Sequence, residues 1–411
     1  MPSRLFHRST SIQPPTVIGG EGIELVAADG QRFVDACGGA AVSWLGHGHP
    51  AVTRAIVEQV GRIAYAHTGS FTNEPAEALA NWLAAAAPGN LNRTYFVDNG
   101  SVAVETALKM ARQYHLEMGA PARTRIIARR QSYHGNTLGA LAAGGNAARR
   151  APYQPLLIDV SHIDPCFEYH HAQADETPEA YAVRAADALE TEILRLGPDT
   201  VMAFIAETVV GATAGAVPPA PGYFRRIREI CDRHGVLLIL DEVMCGAGRC
   251  GTFLACEQDG IAPDIVTLAK GLAGGYQPIG AVMCSDAVYA AFADGSGVFQ
   301  HGHTYSAHAI ACAAALAVQQ VIADEGLLDR VNAAGLYLRE RLTAQFGDHS
   351  LVGDIRGRGL LMAIELVADR ESKTPFNPAL KLNARIRAEA FACGLLIYPG
   401  GGTVDGQHGD H

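Results

Sequence analysis

The dominant pattern along the chain is a series of short, unbroken apolar runs separated by longer stretches with helical spacing. Val236, Leu237, Leu238, Ile239 and Leu240 have no polar residue among them, and the run stops abruptly at Asp241 and Glu242. That length and composition suit a strand covered on both faces, as in a parallel sheet. Ile265 to Ala269 repeats the pattern and ends in Lys270, and Val201 to Ala206 ends in Glu207. Thr94 to Val97, Arg125 to Ala128 and the run from Gly280 to Cys284 predict further strands. Between them, spacing near 3.6 residues predicts helices over Ala51 to Ala64, Glu74 to Ala87, Val102 to about Met118, Glu179 to Leu196 and Gly222 to His234. Strands alternating with helices predict an α/β chain built on a mostly parallel sheet.

The two ends read differently. Residues 1 to about 20 carry no period, and Pro14-Pro15 stops any helix there. From Glu21 to Val42, short alternating pieces around Asp29-Gly30 predict small strands and a hairpin. Towards the other end, helices are expected over Ala307 to Ala323, Leu327 to Phe346 and about 379 to 392. Strands are expected over Val352 to Gly359, Leu360 to Val367 and Leu395 to Tyr398. Residues 161 to 178 show no clear period and read as a loop. A chain of 411 residues is too long for one small core. The expected division is an N-terminal segment, 1–48, packing with a small C-terminal domain, 311–411, beside a large domain, 49–310.

Composition narrows the class. Hydrophobic content of 48% with 18% charged residues is that of a folded globular chain. A net charge of −10 argues against a nucleic-acid partner. The arginine-rich stretches, Arg123 to Arg130 and Arg149-Arg150, are expected to form solvated faces. The 9 cysteines include no CxxC pair, and the N-terminus lacks the apolar core of a signal peptide. No apolar run reaches the roughly 18 residues of a membrane span. Reduced thiols in the cytoplasm and no membrane association are expected. The histidine pairs His47/His49, His170/His171 and His301/His303 lack a matching cysteine or carboxylate pattern, so no metal is expected.

Chemistry concentrates at two strand tips. A lysine amine condenses with an aldehyde, and apolar surroundings lower its pKa so that it serves as nucleophile and base. A carboxylate beside a pyridine nitrogen keeps that nitrogen protonated. Lys270 and Asp241 together therefore describe a site for pyridoxal 5'-phosphate (PLP). Taken singly, Asp241 reads equally well as a turn cap and Lys270 as a solvated strand end. Gly100-Ser101, opening a helix, offers free N–H groups and a positive dipole end to a phosphate, or a plain serine cap.

The ordered set Asp241-Glu242-Val243, Gly246 to Gly251, Pro263-Asp264, Ala269-Lys270-Gly271, Gly275 and Pro278-Ile279-Gly280 resembles the class III (ω-amino acid type) PLP-dependent aminotransferases of fold type I. The resemblance extends over nearly the whole chain. It implies a seven-stranded, mostly parallel sheet in the large domain and a smaller α+β domain built from both chain ends. It implies that Lys270 holds PLP as a Schiff base and shuttles the proton, with Asp241 on the ring nitrogen. Gly100 and Ser101 would take the phosphate, and Tyr133, in Tyr133-His134-Gly135, would stack on the ring. Glu207 would lie beside the ring, and Val243 would cover its far face. Thr304 would reach the phosphate of a neighbouring subunit, which implies a homodimer. Trp44, Tyr65 and Phe71 fall where the family shapes its substrate pocket.

Four departures stand out from the family's pattern. Val102 replaces the usual Glu after Gly-Ser, Thr208 replaces Pro, and Met244 replaces a Gln whose amide touches the ring oxygen. Met244 cannot donate that bond. The chain also stops at His411, where family members continue into an Ala-Pro-Pro strand and a terminal helix near a substrate-carboxylate Arg. The end therefore reads as truncated. Arg356 and Arg358 suit a carboxylate, but their turn-rich setting favours a structural role. The function so implied is ping-pong transfer of an amino group from an amine or amino acid to a 2-oxo acid. An aminomutase or amino-acid racemase would use the same residues, and a non-catalytic relative would bind PLP without turnover. A nicotinamide dehydrogenase is set aside because no GxGxxG follows an early strand.

Overall fold

A computed structural model describes residues 4–411 of the chain. In chain order its strands are β1 (Val17–Glu21), β2 (Glu24–Ala27), β3 (Arg32–Asp35), β4 (Arg93–Val97), β5 (Arg125–Arg129), β6 (Ser161–Ile163), β7 (Val201–Glu207), β8 (Leu237–Asp241), β9 (Ile265–Leu268), β10 (Gly280–Cys284), β11 (Val352–Arg358), β12 (Leu361–Leu366) and β13 (Leu395–Leu396). Seven of them build the central sheet in the order β4-β10-β9-β8-β7-β5-β6. β9, β8, β7, β5 and β6 pair in parallel, and β10 alone runs against its neighbours β4 and β9.

Every residue of β7, β8 and β9 is buried, which is why their sequences show no polar alternation. Their side chains still divide with period two. Phe204, Leu238, Leu240 and Val266 share a core with Tyr181, Leu189, Ile193, Phe224 and Ile227 of the Pro178–Leu196 and Tyr223–His234 helices. Ala203, Ile205, Leu237, Ile239 and Ile265 pack with Ala103, Val104, Ala107 and Ala111 of the Gly100–Glu117 helix. The small residues on that helix let it lie close to the sheet. Each large aliphatic or aromatic side chain so buried contributes about 1.5–3 kcal/mol. Gly235, left-handed at φ 62°, ends the Tyr223–His234 helix and turns the chain into β8.

A second, four-stranded sheet has the order β1-β2-β3-β13. The first three strands come from the beginning of the chain and are antiparallel, and β13 joins β3 in parallel from the other end. The β2–β3 hairpin turns at Asp29-Gly30, as the sequence predicts. β11 and β12 form a separate antiparallel hairpin, and Asp410 bridges both Leu366 and Gly401.

Several expectations are corrected. Residues 161 to 178 are not all loop: they hold β6 and a helical turn, Glu168–His171. A three-residue strand is too short to show a period, and only pairing with β5 defines it. The last helix begins at Leu382, because Lys381 is left-handed at φ 49° and ends a preceding 3-10 turn. The strand expected to reach Tyr398 stops at Leu396. The Arg123 to Arg130 stretch is not a solvated face throughout, because only the start of β5 lies open to solvent. Arg125 is exposed, whereas Arg129 is only 1% exposed and lies over the rings of Tyr223 and Phe224. Among the described residues no single helix is long and apolar enough to cross a membrane.

Candidate active site

The register of the central sheet sets the site. In the parallel ladder Glu207 stands opposite Asp241, and Asp241 opposite Thr267, so the tips of β7, β8 and β9 form one row. In open α/β sheets the space beyond such carboxyl ends is where ligands bind. Asp241 is 4% exposed, and its carboxylate is fully engaged. Oδ1 accepts from the Val243 N–H at 3.1 Å and from the Thr267 hydroxyl at 3.2 Å. Oδ2 pairs with His134 Nδ1 at 2.8 Å. These contacts fix the orientation of the carboxylate.

Lys270 follows β9 with φ 44°, a left-handed conformation that a non-glycine residue adopts only when its surroundings hold it. The holding is visible next door. A Cβ on Gly271 would lie 2.4 Å from the Trp44 ring, so only glycine fits under that indole. Trp44 is in turn covered by Arg249, whose Cζ lies 4.6 Å from the ring centroid. Burial lowers the Lys270 pKa, Asp241 and Glu207 oppose the fall, and Arg249 adds to it. The amine is thus poised to lose its proton while staying within the field of the Asp241 carboxylate.

Glu207 is 5% exposed and accepts from the backbone N–H groups of Tyr133 at 3.0 Å and Gly211 at 2.9 Å. Burial raises its pKa, His134 offsets part of the rise, and Asp241 adds to it. Its own carbonyl accepts from Arg129. Glu207 therefore clamps the Tyr133-His134-Gly135 turn to the row of strand tips. Tyr133 takes a hydrogen bond at its hydroxyl from Asn136 Nδ2 at 3.2 Å.

The turn between β4 and the Gly100–Glu117 helix completes the site. Asn99 is the cap, accepting from the Val102 N–H at 3.1 Å, so Ser101 is not the serine cap the sequence allowed. The Ser101 hydroxyl accepts from the Asn136 N–H at 3.1 Å, and the first N–H groups of the helix remain available to an anion. Backbones crowd here. A Cβ on Gly100 would meet Val243 at 2.8 Å, and one on Gly135 would meet Ser101 at 2.6 Å. Gly100, Ser101, Gly135 and Val243 are thereby brought into one cradle beside Asp241 and Ala269. Met244 lies against Gly211, its Sδ filling the space a Cβ there would need.

Thr304, Tyr65 and Phe71 lie apart from this cradle. Tyr65 donates to the Thr304 carbonyl at 2.8 Å and packs edge-on to Tyr305, and Thr304 and Phe71 are exposed. Trp44, by contrast, sits directly behind the Lys270 turn. Arg358 pairs with Asp259 at 2.9 Å. Arg356 is spent on Glu365, Asp354 and the carbonyls of Ala214 and Gly215. Both are structural, in agreement with the turn-rich setting. Sequence reasoning missed Thr267 and Arg129. The signal for Thr267 was a lone hydroxyl inside an apolar strand. For Arg129 the sequence carries no such signal, since it shares the parity of the exposed Arg125 along β5.

The residues present fit a PLP. Asp241 ends β8, and Lys270 opens a 3-10 turn two residues after β9, the strand that pairs with β8. His134 Nε2 is buried without a partner on the side away from Asp241, as expected of a surface meant to be covered.

Comparison with known proteins agrees. The family model described as Aminotransferase class-III matches residues 8–404. An uncharacterized aminotransferase of Schizosaccharomyces pombe is 46% identical over 408 residues, covering 99% of this chain and 89% of its own. The structure of a thermostable (S)-enantioselective omega-transaminase from Thermomicrobium roseum matches with a TM-score of 0.92 at 34% identity, covering 99% of this chain and 90% of its own. An amine transaminase from an uncultivated Pseudomonas species, solved in its PLP-bound form, matches with a TM-score of 0.91 at 36% identity, covering 96% and 91%. With its strand-tip lysine and carboxylate and its glycine-lined cradle, the chain belongs to the class-III aminotransferases, whose cofactor is pyridoxal 5'-phosphate.

Proposed function

We propose that the chain moves an amino group from an amine or amino acid to a 2-oxo acid in two half-reactions, with Lys270 as the covalent anchor of the cofactor. The observation that carries this reading is Lys270, held in a left-handed turn just after β9 and beside the strand whose tip is Asp241, with burial lowering its pKa. When bound, PLP takes up the electron pair left as a proton leaves the carbon next to nitrogen.

The remaining work belongs to this chain. Lys270 Nζ, its pKa lowered by burial, takes that proton and returns it on the other side of the nitrogen. The Asp241 carboxylate, held by Val243, Thr267 and His134, keeps a proton on the ring nitrogen. The Gly100 and Ser101 N–H groups and the Ser101 hydroxyl hold the phosphate. The Tyr133 ring and Val243 close the two faces and exclude water. Glu207 acts as a positioning residue, through the backbone of Tyr133.

The active form we propose is a homodimer. Val57, Val60, Ile63, Phe71 and Tyr305 leave apolar surface exposed, with Phe71 69% and Tyr305 59% exposed. A soluble chain usually covers such a patch. Thr304 is exposed beside Tyr305, and in this reading it serves the site of the second subunit.

Borohydride reduction of the holoenzyme followed by peptide mapping tests the assignment. Cofactor mass is expected on Lys270, and Lys270→Ala should abolish both half-reactions. Label on another residue, or turnover retained in Lys270→Ala, would overturn it. Amino-acid conversion that needs no oxo-acid acceptor would make the chain a racemase or mutase instead.

A further inference from the structure

We infer that Arg249 is a positioning residue for Lys270: its guanidinium holds the Trp44 indole against the Gly271 backbone, and its unneutralised charge disfavours a second cation at the Lys270 amine. The inference rests on the aminotransferase reading above and adds to the same site a residue that sets the state of its lysine.

The first observation is how Trp44 is held. The Arg249 Cζ lies 4.6 Å from the centroid of its ring, an attractive distance for a cation and an indole. The ring also lies against Gly271, where a Cβ would come within 2.4 Å of three ring atoms. The indole Nε1 is buried and makes no hydrogen bond, so no polar contact anchors the ring. Packing alone keeps it in place, and Gly271 directly follows the left-handed Lys270. Whatever moves the indole therefore frees the turn that carries the amine.

The second is that the Arg249 charge is not spent. Arg356 and Arg358, on the β11–β12 hairpin, pair with Glu365 and Asp259. Among the described residues Arg249 has no such partner, and its Nε is buried without a hydrogen bond. Burial pulls its pKa down to about 10, which leaves it charged at neutral pH, and Cys250 and Asp35 resist that fall. Cys250 is itself pushed up to about 12 and stays a neutral thiol. Asp35 Oδ1 is turned to the N–H groups of Cys37 and Gly39, at 3.3 and 2.9 Å. A buried charge without a counter-ion weakens a fold, so it persists where it serves a site.

The third is its placement. The Arg249 carbonyl accepts from the Leu360 N–H at 3.1 Å, and a Cβ on Gly359 would meet the same oxygen at 2.7 Å. Gln258 Nε2 donates to the Cys250 carbonyl at 2.7 Å, and Asn332 Nδ2 to the Gly251 carbonyl at 3.1 Å. The β11–β12 hairpin and the Leu327–Phe346 helix thus clamp the turn that carries Arg249. At the Lys270 amine, burial disfavours the charge, Asp241, Glu207 and Cys245 favour it, and Arg249 joins burial against it. Burial raises Glu207 and keeps the Cys245 thiol neutral. Asp241 and Arg249 therefore pull the amine in opposite senses.

The test separates the charge from the packing. Arg249→Met removes the charge, and Arg249→Lys keeps it without the planar group. Two midpoints against pH are read, that of the holoenzyme absorbance and that of PLP capture by cofactor-free protein. Both should rise by about 0.5–1 unit in Arg249→Met, because the Lys270 nitrogen keeps its proton longer without a cation nearby. Both should stay near wild type in Arg249→Lys. The chain has 2 tryptophans, so Trp82→Phe leaves Trp44 as the sole indole. In that background, acrylamide quenching of the Trp44 fluorescence should rise in both Arg249 variants. In Arg249→Met, kcat for the first half-reaction should fall about 10- to 100-fold with KM within a few-fold of wild type. Midpoints that stay or fall in Arg249→Met, or quenching no higher than in wild type, would overturn the assignment. If Arg249→Met does not fold, Arg249→Gln removes the charge with a polar side chain and carries the same expectations. Cofactor still fixed to Lys270 by borohydride in these variants shows that such a failure is of the Arg249 role and not of the aminotransferase reading.

Discussion

The field between Asp241 and Lys270 can be measured directly. Asp241→Asn removes one buried negative charge while keeping a side chain of the same shape. Asp241 pairs with Thr267, and the three residues on to Lys270, which leave the strand for a 3-10 turn, span at most about 10 Å. At an effective dielectric near 20, unit charges at that separation interact by about 2 kcal/mol, or between about 1 and 1.5 pK units. The sign follows from the opposing influences on Lys270. Burial lowers its pKa, and Asp241 resists the fall. Without Asp241 the amine should lose its proton about one unit lower. In cofactor-free protein, only the neutral amine captures PLP. The midpoint of the capture rate against pH should therefore shift down by about that amount. Transamination should fall by about 100- to 1,000-fold, because the variant no longer holds charge at the ring nitrogen. A midpoint that stays put, or moves up, would mean that the two groups do not share one site, and the proposed chemistry would fail with it.

Two further changes test the scaffold around this pair. Gly135 sits at φ 129°, and a Cβ there would lie 2.7 Å from the Ser101 Cα as well as 2.6 Å from its hydroxyl oxygen. Gly135→Ala therefore adds backbone strain of about 1–3 kcal/mol and pushes Ser101 out of the phosphate cradle. PLP affinity, read by absorbance titration, should weaken about 10- to 100-fold, and wild-type affinity would contradict the cradle. Arg356→Met tests the clamp between the β11–β12 hairpin and the 214–215 loop. Burial pushes Glu365 up, but His170 and Arg356 outweigh it and hold the carboxylate below its ordinary range. Its charge thus stabilises the fold above that range, and the share is lost as pH falls through the lowered pKa. Removing Arg356 should cost about 3–5 kcal/mol at neutral pH and take away one of the two groups that lower Glu365, so the carboxyl then titrates higher. The loss should shrink towards about pH 5, as the stranded carboxyl takes up a proton. Denaturant curves showing the same loss at both pH values would refute that account.

What the sequence determined by itself was local and chemical. Runs such as 236–240 and 265–269 have one stable use, a doubly covered strand, because nothing in them tolerates water. Residues that end such runs must stand at the mouth of the sheet, so Lys270, Asp241 and Glu207 were legible before any coordinates. Turn residues placed the β2–β3 hairpin for the same reason. Only the tertiary structure decided which tips are neighbours. The β9-β8-β7 order puts Glu207, Asp241 and Thr267 in one row, and strand order depends on helix packing that no single strand encodes. The role of Arg129 was hidden because it shares its parity along β5 with the exposed Arg125, and only the packing of Tyr223 and Phe224 at the strand's far end covers it. Arg149 reads as a surface charge in the sequence, and only the folded chain sets its guanidinium over the Tyr133 ring. Asn99 rather than Ser101 caps the helix because cap geometry depends on the dihedral angles of a single residue, which the surrounding backbones set.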